Sequence, residues 1–113
     1  MRRSGLDAPR KRVLVLEDDA AIGELIRVVL MDEGFEAALA RDGGEALEFV
    51  RERPPELMLA DIHLAGSEPV EEIIRAIRAH TGPELPVLAM SASSEHERCH
   101  ALGAYGFVDK RST

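Results

Sequence analysis

Arg12-Val13-Leu14-Val15-Leu16-Glu17-Asp18-Asp19 is the stretch whose reading decides the fold. Four aliphatic residues follow one another without polar alternation, which predicts a strand buried on both faces, as in a parallel sheet covered by helices. Three acids follow at once. Beyond them Ile22, Leu25, Ile26, Val29 and Leu30 recur at the spacing of one helical face. Asp19 is placed to cap that helix and Gly34 to end it.

The same alternation continues along the chain. Residues 35–40 read as a second strand, and Arg41-Asp42-Gly43-Gly44 as a loop. Ala46, Leu47 and Val50 give a shorter amphipathic helix, stopped by Pro54-Pro55. Leu57-Met58-Leu59-Ala60 is a third strand that runs into Asp61. Val70, Ile73, Ile74 and Ile77 repeat the helical stripe, with Pro69 suited to its first turn and Thr81-Gly82-Pro83 to its end. Residues 86–90 read as a fourth strand. Residues 93–102 read as a fourth helix with a thin apolar face, carried by Cys99 and Leu102. Residues 105–108 form a short fifth strand. Strands alternating with helices predict an α/β domain built on a parallel sheet with right-handed crossovers. In such sheets chemistry gathers outside the carboxyl ends of the strands.

Composition agrees with one domain. The chain has 113 residues, 45% of them apolar and only 4% aromatic, so the core is aliphatic. A single cysteine, Cys99, excludes an internal disulfide and fits a reducing, cytoplasmic compartment. No apolar run approaches the roughly 20 residues of a membrane span, and the N-terminus lacks the apolar core of a signal peptide. Charge is unevenly placed. Residues 1–12 hold Arg2, Arg3, Arg10, Lys11 and Arg12 against Asp7 alone, whereas the rest of the chain is strongly acidic within a total of −7. We therefore expect a basic, disordered arm over residues 1–10 and a folded domain over 11–113. An acidic body argues against nucleic acid and membrane as partners.

The predicted strand ends carry the chemistry. Glu17-Asp18-Asp19 follows the first strand, Asp61 the third, Ser91 the fourth and Asp109-Lys110 the fifth. Carboxylates grouped this way repel one another, and a hard cation relieves the repulsion. An oxygen-only donor set with few protein ligands suits Mg²⁺ better than zinc. A carboxylate nucleophile, a cation, an ammonium and a hydroxyl together suit phosphoryl transfer. His96, Cys99 and His100 share one helical turn but lack a fourth ligand for zinc.

These residues resemble the receiver domain of two-component response regulators. The resemblance covers about residues 11–111. It rests on the stretch at 12–19, on Ala40-Arg41-Asp42-Gly43-Gly44-Glu45-Ala46-Leu47, on Leu57-Met58-Leu59-Ala60-Asp61-Ile62-His63-Leu64, on Pro86-Val87-Leu88-Ala89-Met90-Ser91-Ala92 and on Gly103-Ala104-Tyr105-Gly106-Phe107-Val108-Asp109-Lys110. It implies a flavodoxin-like five-stranded parallel sheet of order 2-1-3-4-5. It implies Asp61 as phosphoacceptor, with Glu17, Asp18 and the backbone carbonyl of His63 beside Asp61 around Mg²⁺. Ser91 and Lys110 would bind phosphoryl oxygens, and Ser91 and Phe107 would form the switch. The implied partners are a histidine kinase or phosphotransfer protein and an output protein.

Three departures stand out. Arg111 replaces the family's proline after the lysine, and a non-proline cis bond there would cost about 2.5–4 kcal/mol. The loop Leu64-Ala65-Gly66-Ser67-Glu68-Pro69 differs from the family pattern. Only Arg111-Ser112-Thr113 follow the fifth strand, so four helices are expected where the family has five. A missing aliphatic stripe would forgo about 5–10 kcal/mol of burial, and the open face then predicts a homodimer. The length leaves no room for an output domain, so output is expected through protein contact. Two alternatives stand beside this one. The first is a docking or dimerisation module that no longer takes a phosphoryl group. The second is a small Mg²⁺-dependent phosphatase, which lacks a second acid two residues after Asp61, where His63 stands.

Overall fold

The aliphatic run predicted as a buried strand forms β1 (Arg12–Leu16), and every residue in it is buried. In chain order there follow α1 (Ala20–Asp32), β2 (Glu36–Ala40), α2 (Gly43–Glu52), β3 (Leu57–Asp61), α3 (Val70–Thr81), β4 (Val87–Ser91) and β5 (Gly106–Asp109). This is a computed structural model that describes residues 10–64, 68–91 and 106–109, with Ser91 and 106–109 as strand backbone. The five strands form one sheet of order β2-β1-β3-β4-β5, all neighbours parallel. The expected fourth helix, most of the expected arm, and Lys110 lie outside the described residues.

Local chemistry explains the helix ends. The Asp19 carboxylate accepts hydrogen bonds from the amides of Ala21 and Ile22, satisfying donors that the first turn of α1 leaves orphaned. At the other end Gly34 takes φ 95°, which a residue with a Cβ rarely adopts. Its amide donates to the Met31 carbonyl at 3.1 Å, and that of Phe35 to the Leu30 carbonyl at 3.0 Å, closing the helix in a Schellman motif. Asp42 caps α2 through the Glu45 amide, while the Glu45 carboxylate takes the Arg41 amide. Pro69 precedes α3 at the cap position instead of opening its first turn. Acids in the first turn of α3 and bases in its last oppose the helix dipole favourably.

Side chains divide the sheet's two faces unequally. One face is covered by α2 and α3. There Leu14, Leu16, Met58, Ala60, Val87 and Ala89 pack against Ala46, Val50, Val70, Ile73, Ile74 and Ile77, all buried. The other face packs α1 through the half-buried Ile26 and Leu30, and its buried set shrinks to Val13, Val15, Leu59 and Met90. The five-residue stripe expected to bury itself in α1 does so only in part. Leu25 and Val29 remain 61% and 52% exposed, with Val28 and Met31 beside them. Gly23 shows why. A Cβ there would lie 2.7 Å from Leu39 Cδ1, so α1 rests on β2 at its glycine, and that close approach turns Leu25 and Val29 outward.

Arg12, one of the basic residues near the N-terminus, is the first residue of β1. No turn residue separates it from Val13, so the ladder begins with it, paired to Glu36. Its side chain lies under the end of α2 and is 8% exposed.

Candidate acidic site at the carboxyl edge of the sheet

Three consecutive acids leave β1 in three directions. The Glu17 amide continues the ladder, donating to the Ala40 carbonyl at 3.0 Å. That hydrogen bond keeps the residue in register, and its side chain is fully buried. One carboxylate oxygen of Glu17 accepts from the Asp19 amide at 3.1 Å. Asp19 itself faces solvent and is used up as the α1 cap. Asp18, between them, is half-buried.

The neighbouring strand brings a fourth carboxylate. Leu16 pairs with Ala60 in the ladder, so the residues that follow, Glu17 and Asp61, stand side by side at the edge. Asp61 is buried. Its Oδ1 accepts from the His63 amide at 2.9 Å, which fixes both the carboxylate and the turn after it. Beyond it the Ile62 amide donates to the Met90 carbonyl at 3.0 Å, extending the β3–β4 pairing past the site. One carboxylate oxygen from each of Glu17, Asp18 and Asp61 lies within 4.8 Å of the others.

Of the residues singled out in sequence, the fold therefore brings together Glu17, Asp18 and Asp61. Asp19 is elsewhere occupied. Ser91 ends β4 one residue beyond the Asp61–Met90 pair and is itself paired with Asp109, so its backbone stands at the same edge. Phe107 pairs with Ala89, deeper in the sheet. The His63 backbone is tied to Asp61 and its residue is exposed. Lys110, and the helix that would carry His96, Cys99 and His100, lie outside the described residues.

The donor set tests the expected cation. Three carboxylates, two of them buried and all within reach of one ion, supply hard oxygens and no nitrogen or sulfur. That chemistry fits Mg²⁺ and disfavours softer metals. Among the described residues no helix is long and apolar enough to cross a membrane.

Strand order and an acidic trio at the ends of β1 and β3 define a parallel α/β domain with a carboxylate cluster at its sheet edge, and comparison with known proteins names the family. Residues 13–113 match the response regulator receiver domain, and the chain belongs to that family, which acts in two-component signal transduction. It is 38% identical over 90 residues to the DNA-binding response regulator MtrA of Mycobacterium tuberculosis, covering 80% of this chain and 38% of that protein. This chain thus spans well under half the length of these curated relatives. The receiver domain of NtrX from Brucella abortus superposes with a TM-score of 0.78 at 33% identity, over 87% of this chain and 84% of that one. The response regulator TrrA of Thermotoga maritima, solved with Mg²⁺ and BeF, gives a TM-score of 0.74 at 29% identity, over 88% and 86% of the two chains.

Proposed function

We propose that Asp61 accepts a phosphoryl group from the phosphohistidine of a histidine kinase or phosphotransfer protein. The observation that carries this reading is the convergence of Glu17, Asp18 and Asp61 within 4.8 Å at the strand ends. In the reaction an Asp61 carboxylate oxygen bonds to phosphorus as the phosphorus–nitrogen bond of the donor breaks. The products are an acyl phosphate and a free imidazole. The His63 amide holds Oδ1 of the nucleophile and so fixes the orientation of the carboxylate.

Glu17, Asp18 and Asp61, with the His63 backbone carbonyl, are the residues that would hold Mg²⁺. When bound, Mg²⁺ offsets the negative charge of the carboxylates and of the incoming phosphoryl group. In this reading Ser91 and Lys110 bind phosphoryl oxygens, and Ser91 and Phe107 carry the signal to the output surface. The His63 imidazole, two residues past the acceptor, sets the lifetime of the acyl phosphate by positioning water. Output passes through protein contact in the cytoplasm. The exposed apolar flank of α1 supports self-association of the domain.

The second reading is a docking module that takes no phosphoryl group. Arg111 in place of proline and the divergent loop over residues 64–69 favour it. Incubation with Mg²⁺ and acetyl phosphate, followed by intact mass measurement, separates the two. The receiver reading expects one hydroxylamine-labile phosphoryl adduct that Asp61→Ala abolishes. The docking reading expects none. An unchanged dephosphorylation rate in His63→Ala would remove the role given to its imidazole.

A further inference from the structure

Asp19 is tied to the acidic site on one side and to α1 on the other. Its amide donates to Oε2 of Glu17 at 3.1 Å. Its carboxylate Oδ1 accepts from the amides of Ala21 and Ile22 at 3.0 and 3.1 Å, and its carbonyl accepts from the Gly23 amide at 2.9 Å. One polar group thus reaches a candidate metal ligand, and two hold the first turn of a 13-residue helix.

The bond to Glu17 matters because of where that side chain lies. Glu17 is fully buried, and glutamate has one more rotatable bond than aspartate between backbone and carboxylate. A carboxylate that must share one ion with two others needs a neighbour to fix its orientation. The Asp19 amide supplies that neighbour only while the Asp19 backbone stays extended, at φ −83° and ψ 112°. The ladder does not hold it there. Among the described residues the last ladder bond of β1 is that of the Glu17 amide, two residues earlier. The cap bonds of α1 hold it.

We propose that Asp19 is a positioning residue for Mg²⁺: by capping α1 it holds the amide that orients Glu17 in the cation site. This role rests on the Mg²⁺ site proposed above. It requires no contact between Asp19 and the ion. Oδ1 is committed to two amides, the residue is exposed, and the trio that shares one point comprises Glu17, Asp18 and Asp61. The link runs both ways, since coupling between two sites is reciprocal. A cation that draws Glu17 into place firms the first turn of α1, the helix whose flank is apolar and exposed.

Mg²⁺ titration of ¹⁵N-labelled wild type and variants, read from amide shifts, tests this. Asp19→Ala should weaken Mg²⁺ binding about fivefold, as the competent backbone conformation loses population. Asp19→Asn keeps a capping oxygen and drops the charge, so it should stay within about twofold of wild type. Asp42→Ala removes the cap of α2 and one acidic charge outside the trio, and should leave Mg²⁺ affinity unchanged. In EDTA the amide at position 19 should exchange faster in Asp19→Ala than in wild type. In the wild type Mg²⁺ should slow exchange of the Ile22 and Gly23 amides and leave that of Glu33, at the far end of α1, unchanged. Four results would overturn the proposal: wild-type affinity in Asp19→Ala, an equal loss in Asp19→Asn, an equal loss in Asp42→Ala, or no protection of Ile22 and Gly23. The second would assign the effect to charge and the third to general destabilisation. A wild type that binds no Mg²⁺ at tens of millimolar would overturn the Mg²⁺ reading itself, and this role with it.

Discussion

The two faces of the sheet are built from the same five strands but to different standards. On the α2/α3 face, the inward aliphatics of β1 to β4 meet helices with buried stripes of their own, down to Ile77 with no exposure at all. On the α1 face the helix lies close because of Gly23, yet Leu25 and Val29 face outward and Leu57 and Leu88 are only half-buried. The contrast teaches that one face buries most of the core, while the other buries a smaller cluster and leaves the flank of α1 exposed. The acidic site lies on the seam between them, at the strand ends, where backbone ladders and not side-chain packing hold Glu17 and Asp61 in place.

The largest expected effect comes from the packed face. Ile77→Ala should cost about 3–4 kcal/mol in urea unfolding, because a fully buried aliphatic leaves a cavity that its neighbours cannot fill. Asp19→Ala should cost about 1–2 kcal/mol by removing the cap from α1, a helix with little packing to compensate. In the absence of divalent cation, Asp61→Asn should raise the melting temperature by about 4 °C, since it deletes a like charge from the trio while keeping an acceptor for the His63 amide. Adding Mg²⁺ should reverse the order of the two proteins. Equal or lower stability of the variant in EDTA would mean that the carboxylates do not repel. The smallest effect belongs to the exposed flank. Val29→Ala should change stability by less than about 0.5 kcal/mol. A cost matching that of Ile77→Ala would break the contrast between the faces.

Much of this was legible in the sequence, for identifiable reasons. The continuous run Val13 to Leu16 announced a doubly buried strand, and the stripe through Val70, Ile73, Ile74 and Ile77 announced a helix that buries all four. Asp19 and Gly34 marked the two ends of α1 as read. The convergence of Glu17, Asp18 and Asp61 followed from placing acids at strand ends, because parallel strands in register align their termini. What the pattern missed depends on contacts between elements. The α1 stripe looked wholly internal because periodicity reports which residues share a face, not how that face is rotated against the sheet. Gly23 sets that rotation through Leu39, a residue in another element. The charge count gave no sign that the basic residue Arg12 is buried against the end of α2. Its direct junction with Val13, with no turn residue between them, was the signal that places it in β1.

The central claim is that one carboxylate among several clustered acids is the phosphoryl acceptor. Borohydride reduction of protein treated with Mg²⁺ and acetyl phosphate, followed by peptide mapping, tests this at single-residue level, because reduction of an acyl phosphate on aspartate leaves homoserine. The account predicts homoserine at position 61 alone, with Glu17 and Asp18 unmodified and no product when Mg²⁺ is omitted. Modification at Asp18 or Glu17, or an unmodified Asp61 in fully folded protein, would contradict it.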